Sequence, residues 1–326
     1  MENTTEFRSR IDMSELRDSL MRVRNEIHKV IVGQEQFLDH LLIALLSRGH
    51  VLIEGVPGIA KTLTAKLIAK TIDAGFSRIQ FTPDLMPSDV IGTNVFNLST
   101  SNFAFNKGPI FSNVILIDEI NRAPAKTQAA LFEVMEEFQV TVDGKTYPME
   151  EPFWVLATQN PIEQEGTYRL PEAQLDRFFM KINVHYPSLD EEILLLNNKN
   201  EKGNTPEISE VGTILTPALI ADFRELTSKI YVEPGLIRYI AQITDATRTS
   251  SALYLGASPR ASVAVMTASK AAAAIKGRDF VTPEDIKEAT VPVLAHRLIL
   301  TPEKEMEGMK PEEIIPIIVE SIEVPR

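Results

Sequence analysis

No cysteine occurs among the 326 residues. Disulfides, thiolate nucleophiles and cysteine-ligated metals are therefore excluded. Long apolar runs are missing as well. Runs such as residues 41–46 and 114–117 are far too short to span a bilayer, so no integral membrane segment is expected. The first ten residues are polar and unlike a secretory leader, which makes a cytoplasmic location the expectation. The five histidines, His28, His40, His50, His185 and His296, form no i,i+4 pair. A zinc site is not expected, and surface or capping roles are. No serine has a histidine and an acid at readable spacing, so nothing supports a hydrolase triad. Basic residues are the minority, 33 against 45 acidic, for a net charge of −12. Such a chain repels phosphate backbones over most of its surface, and nucleic-acid binding is not expected.

The length suggests about two domains, each able to bury a core, and a hydrophobic fraction of 44% is that of an ordinary globular protein. Leu16, Leu20, Val23 and Ile27 recur at helical spacing within residues 13–30, and Leu38, Leu41, Leu42 and Leu45 mark a second helix. Residues 51–54 read as a short apolar strand, 55–62 as a glycine-containing turn and 63–71 as a helix. Residues 81–110, rich in Pro, Asn, Ser and Thr, read as an insertion, either an elaborated loop or a small hairpin. The aliphatic run 114–117 has the pattern of a strand buried on both faces of a parallel sheet. Pro124 opens a helix to about residue 137, and Asp143-Gly144 signals a hairpin at about 139–148. Trp154, in the apolar strand 153–158, is expected in the core. A short helix runs from Pro171 to about 178, and 182–184 are extended. Beyond Pro187 only helices are expected, near 191–197, 217–228, 234–248, 259–275 and 283–295. The chain thus divides into an α/β unit, residues 1–187, and an all-α unit, residues 188–326. The acidic stretch 303–313 reads as a solvated face or loop.

Chemistry concentrates in two places. The first is Gly55-Val56-Pro57-Gly58-Ile59-Ala60-Lys61-Thr62, between a strand and a helix, which is the context of a Walker A phosphate loop. Gly55, Pro57, Gly58, Ile59 and Ala60 form the turn, and Lys61, Thr62 and Leu63 begin the helix whose N-terminus attracts phosphate. Lys61 is suited to the β- and γ-phosphates and Thr62 to Mg²⁺. Ala60 stands where a P-loop usually has glycine; alanine adds only a methyl group, which the loop accommodates if φ there is negative. The second is Asp118-Glu119, at the end of strand 114–117. Ligands of open α/β sheets lie beyond the carboxyl ends of the strands. Asp118 is suited to the Mg²⁺ shell and Glu119 to activating water as a general base. The pairing of a P-loop with this acid pair predicts a P-loop NTPase with a parallel sheet flanked by helices.

Three strings carry a more specific resemblance. They are residues 54–62 with their alanine, residues 118–128 (Asp-Glu-Ile-Asn-Arg-Ala-Pro-Ala-Lys-Thr-Gln), and residues 166–178 (Gly-Thr-Tyr-Arg-Leu-Pro-Glu-Ala-Gln-Leu-Asp-Arg-Phe). Together they resemble the MoxR family of AAA+ ATPases, over nearly the whole chain. The resemblance implies an AAA+ core with a helical lid, ATP and Mg²⁺ as ligands, and a homo-oligomeric ring, a hexamer. Asn160 matches sensor 1, although the residue before Pro161 also suits a turn. Arg177 matches an arginine finger offered to a neighbouring subunit, or forms an ordinary salt bridge to Asp176. Arg260 matches sensor 2; an arginine in the first turn of a helix opposes the dipole, which favours a role facing nucleotide. ATP is then expected between the α/β unit and the lid, at the border with the next subunit. Val32 and Gly33 lie where the family contacts adenine, and equally suit the core. Arg169 receives no role. The insertion and the 139–148 hairpin correspond to the helix-2 insert and pre-sensor-1 hairpin, which in related motors face the ring centre. The implied work is chaperone-like remodelling of a partner protein, or metal insertion into it, the partner being often one with a von Willebrand factor A domain. The alternatives are a nucleic-acid motor subunit and a magnesium-chelatase-like subunit.

Overall fold

Period-two alternation decides how the central sheet is covered. In β1 (Val51–Glu54), β5 (Val114–Asp118) and β8 (Trp154–Gln159), Leu52, Ile115, Ile117, Val155 and Ala157 join one apolar cluster. Their neighbours Val51, Ile53, Val114, Leu116, Trp154 and Leu156 join another. Both faces are therefore buried, as expected for parallel strands covered by helices. The computed structural model describes residues 11–325 other than Pro57, Thr100, 161–167, Arg169 and 203–207.

In chain order, α1 (Ser14–His28) and α2 (Glu35–Leu46) precede β1. α1 buries the expected stripe Leu16, Leu20, Val23 and Ile27, whereas α2 is buried almost all round. After β1 come α3 (Lys61–Thr71), β2 (Phe76–Gln80), α4 (Pro87–Ile91), β3 (Gly92–Asn97) and β4 (Asn102–Lys107). β5 leads to α5 (Ala125–Glu137), β6 (Gln139–Val142) and β7 (Lys145–Pro148), and β8 leads to α6 (Glu172–Leu175) and β9 (Met180–Asn183). The remainder comprises α7 (Leu189–Lys202), α8 (Pro217–Ser228), α9 (Pro234–Thr249), β10 (Leu253–Leu255), α10 (Pro259–Ile275), α11 (Pro283–Leu294), β11 (Ile299–Leu300), α12 (Pro302–Met306) and α13 (Pro311–Glu320).

The five-stranded sheet has the order β2-β5-β8-β1-β9, and its pairs are all parallel. All strands therefore end on one rim, where Glu54 pairs with Gln159 and Gln80 with Asp118. β2 has no counterpart among the expected strands. It is an edge strand burying only Ile79, so it carries no apolar run to read. The insertion contains α4 and the β3–β4 hairpin, and the turn at Asp143-Gly144 joins β6 to β7. The two hairpins meet through Asn94–Asp143 and a tilted Phe105–Tyr147 pair with centroids 4.6 Å apart.

The C-terminal part is not purely helical. β10 and β11 form a small antiparallel pair, too short for any periodicity to register. α10 packs on α2, α9 and α11, and α11 lies against β9. The acidic stretch is not wholly solvated either. Glu312 is partly buried, 2.9 Å from Asn183 Nδ2 and 3.4 Å from Lys181 Nζ.

His40, His50 and His296 are buried and not at the surface, while the expected capping role fits His50, which meets a carbonyl in the last turn of α5. His50 Nδ1 accepts from Val155 N–H at 3.0 Å and its Nε2 faces the Met135 carbonyl at 3.2 Å, so the neutral ring joins the starts of β1 and β8 to the end of α5. Burial pushes the His50 pKa from 6.5 down to about 4, and His296 is depressed in the same way. Protons then bind the unfolded chain more readily. The neutral ring's contribution is intact above about pH 6.5, is lost as pH falls towards 4, and levels off below that, a loss of about 3 kcal/mol for His50. Urea unfolding across this range is expected to show a slope that His50→Gln makes shallower; equal slopes for the two proteins would contradict the assignment.

Candidate active site

β1 delivers the chain to the phosphate loop at the strand-end rim. Gly55 is required by close approach, since a Cβ there would sit 2.8 Å from the Val184 carbonyl oxygen and 2.5 Å from Ile59 Cδ1. Gly58, at φ 87°, faces open space at the loop's apex. Ala60 has φ 60° and ψ 19°, so the condition of a negative φ is not met and the loop takes this turn with an alanine in the left-handed region. The left-handed conformation lets the Ala60 carbonyl accept Thr64 N–H at 2.9 Å and Thr64 Oγ1 at 3.1 Å, starting α3. An L-residue with a Cβ in this conformation costs about 1–2 kcal/mol. Ala60→Gly is therefore expected to raise stability by about 1 kcal/mol in urea unfolding; a destabilised variant would show that the methyl group is needed. Pro57 lies outside the described residues.

Lys61 Nζ donates to the Gly55 carbonyl across the loop. Burial depresses its pKa, and Asp118, Glu54 and Glu119 pull it back. Thr62 Oγ1 is 3.2 Å from Asp118 Oδ1, so the two expected metal-binding groups converge although they are 56 residues apart. Leu63 follows in α3 and packs on the core. This hard oxygen pair beside a lysine and a helix N-terminus fits a magnesium-bound triphosphate.

Asp118 is 5% exposed and has further partners: Thr158 Oγ1 at 3.2 Å and Arg78 Nε at 2.6 Å. Glu119 stands in the left-handed region, at φ 58° and ψ 53°, where the chain leaves β5 for a single 3₁₀ turn, residues 120–122. Its N–H donates to Thr158 Oγ1 at 3.1 Å, and Oε2 meets Gln80 Nε2 at 3.1 Å and Arg122 Nε at 2.7 Å. Non-glycine residues in this conformation concentrate at functional sites. Asn160 is buried one residue past β8, on the same rim.

Val32 is partly buried beside the core residue Ile31. Gly33, at φ 67°, lies under the Glu191 carboxylate, which a Cβ would overlap. Gln34 Nε2 donates to the Ile59 carbonyl at 3.0 Å and so ties this strip to the phosphate loop.

The two remaining arginines are elsewhere. Arg177 and Arg260 line a cleft of about 330 Å³ with Arg48, His50, Glu136, Asp176 and Arg297. His50 immediately precedes β1, so this cleft is at the opposite end of β1 from Lys61. Arg260, expected to face the nucleotide, is therefore remote from the phosphate loop of its own chain. The reason is packing: α10 is fixed against α2 and α11, and its first turn comes down on the end of α5. Arg177 pairs with Glu136 and not with Asp176. Asp176 instead takes Arg297 Nε at 2.7 Å. Gly166, Thr167 and Arg169 of the third string lie outside the described residues.

Residues 50–180 match the profile of the ATPase family associated with various cellular activities, and residues 245–318 match that of an AAA lid domain. A crystal structure of a candidate ATPase from Cytophaga hutchinsonii superposes with a TM-score of 0.88 at 44% identity, covering 96% of this chain and 97% of that one. The Bacillus subtilis protein YeaC is 44% identical over 95% of this chain and 96% of its own length. The chaperone MoxR1 of Mycobacterium tuberculosis is 43% identical over 94% of this chain and 83% of its own. The chain belongs to the MoxR family of AAA+ ATPases. It binds nucleotide and hydrolyses ATP.

This MoxR-family site contains residues that the sequence did not mark. Arg78 and Gln80 come from the unread strand β2, Thr158 from an apolar strand, and Glu191 from α7. Each meets the site across a strand pairing or a helix junction, so no local motif announces it.

Proposed function

We propose that the chain is a subunit of a ring, a hexamer, in which each Mg-ATP is held by one subunit and completed by the next. Val32 and Gly33 border the base. The phosphate loop cradles the phosphates, Lys61 meets the β- and γ-phosphates, and Thr62 with Asp118 holds Mg²⁺, which neutralises phosphate charge when bound. Glu119 takes the proton of the attacking water, and Asn160 orients that water. Arg177 and Arg260 act on the nucleotide of the adjoining subunit.

One observation carries this reading: both arginines lie at the start of β1 and both acids at the rim where it ends. Four strand residues span roughly 13 Å, more than an arginine of the same chain can bridge while it stays in its cleft. Turnover then requires assembly. ATPase activity per subunit is expected to rise with protein concentration, in step with the assembled fraction measured by light scattering. Constant specific activity down to the monomer would reject the reading.

Loss of the γ-phosphate changes the angle between the α/β unit, residues 1–187, and the helical unit, residues 188–326, and so works on a client. We infer a protein client, remodelled or matured in chaperone-like fashion, with metal insertion one form of maturation and a von Willebrand factor A domain protein the candidate class. The likeness to the chaperone MoxR1 supports this. No helix among the described residues is long and apolar enough to cross a membrane; we place the ring in the cytoplasm. Capture from native lysate with the Glu119→Gln form in ATP tests the client class.

A further inference from the structure

Glu136 occupies the last turn of α5, and two arginines from different parts of the fold meet on its carboxylate. Arg177, just beyond α6, pairs with Oε2 and donates to the Phe132 carbonyl at 3.3 Å. Arg260, in the first turn of α10, brings Nη2 to 3.5 Å from Oε1. The other acid of the cleft is already engaged. Asp176 holds Arg297, whose side chain is only 4% exposed, and meets Arg260 Nη1 at the longer distance of 3.7 Å.

Four guanidinium groups and two carboxylates line the cleft, which leaves it net positive and suited to an oligoanion. Arg260 is 60% exposed, and a free arginine side chain gives up rotamer entropy when it is fixed. A carboxylate shared by both arginines limits that loss, because it keeps their forks side by side before any phosphate arrives. Glu136 is itself 40% exposed, so water screens its pairs and a triphosphate can replace it. Its own position is firm, since the preceding carbonyl, that of Met135, is held by the buried His50 at 3.2 Å.

We propose that Glu136 is a positioning residue that presents Arg177 and Arg260 together to the nucleotide of the adjoining subunit. The proposal rests on the trans reading of the two arginines, and subunit mixing separates the two ideas. Lys61→Ala subunits retain the arginines and lack a working phosphate loop; Arg177→Ala subunits retain the loop and lack the finger. Each is inactive alone, and their mixture is expected to regain turnover. Adding Glu136→Ala to the Lys61→Ala subunit is expected to cut the regained kcat about tenfold or more with KM for ATP unchanged. Adding it to the Arg177→Ala subunit is expected to change nothing, because that subunit's arginine face already lacks the finger. Full recovery in both placements overturns the role of Glu136. Equal loss in both shows a merely structural effect and also overturns it. No recovery in the parent mixture removes the trans reading and this proposal with it.

Discussion

Glu119→Gln is expected to keep ATP bound while turnover falls by about 10²–10⁴-fold, the usual contribution of a general base. The substitution is nearly isosteric, and the left-handed backbone at Glu119 is held by Thr158 Oγ1 through the main-chain N–H, which glutamine retains. The contact with Gln80 can also survive as a hydrogen bond between amides. What disappears is the charge that pairs with Arg122 and the basicity needed to accept a proton from water. Lys61, Thr62 and Asp118 are untouched, so affinity has no reason to drop. Isothermal titration with ATP, beside steady-state phosphate release, checks both halves. Hydrolysis at the wild-type rate would remove Glu119 as the base.

Arg177→Ala is expected to lower kcat of the assembled protein by about 10³-fold or more, the scale set by arginine fingers in other nucleotidases. Arg177→Lys should recover only part of that loss, because a lysine keeps the charge and loses the planar fork. The resting partner of Arg177, Glu136, lies on the surface of the cleft, so truncation leaves no buried charge unpaired and folding should survive. Phosphate release measured on material shown by light scattering to be assembled gives the answer. Wild-type turnover in that state would mean that Arg177 never meets a γ-phosphate.

Some of the site was legible because it is local. A phosphate loop needs a strand, a tight turn and a helix in immediate succession, and residues 51–71 contain all three within one stretch of chain. The acid pair is likewise announced by the strand before it, all five residues of which are buried. The groups that surround these motifs were not legible. Arg78 reaches Asp118, and Gln80 reaches Glu119, only because β2 pairs in parallel with β5, 38 residues further along at Gln80↔Asp118. An edge strand with one buried residue leaves no pattern to find. His50 and His296 were misplaced for a related reason: whether a histidine is buried depends on which carbonyl waits for it, here those of Met135 and Phe178.

The sequence by itself indicated the chemistry: which residues are suited to phosphate, which carry the acids, and that both groups stand beyond the carboxyl ends of buried strands, which the structure places on either side of β8. Short-range geometry suffices for that, since each motif is built by residues adjacent in the chain. Tertiary structure alone decided that Arg177 and Arg260 lie at the far end of β1, gathered on Glu136 and away from the chain's own phosphate loop. Their location follows from how α10 docks against α2 and how its first turn meets the end of α5 at Glu136, contacts between residues more than a hundred positions apart that no local spacing encodes.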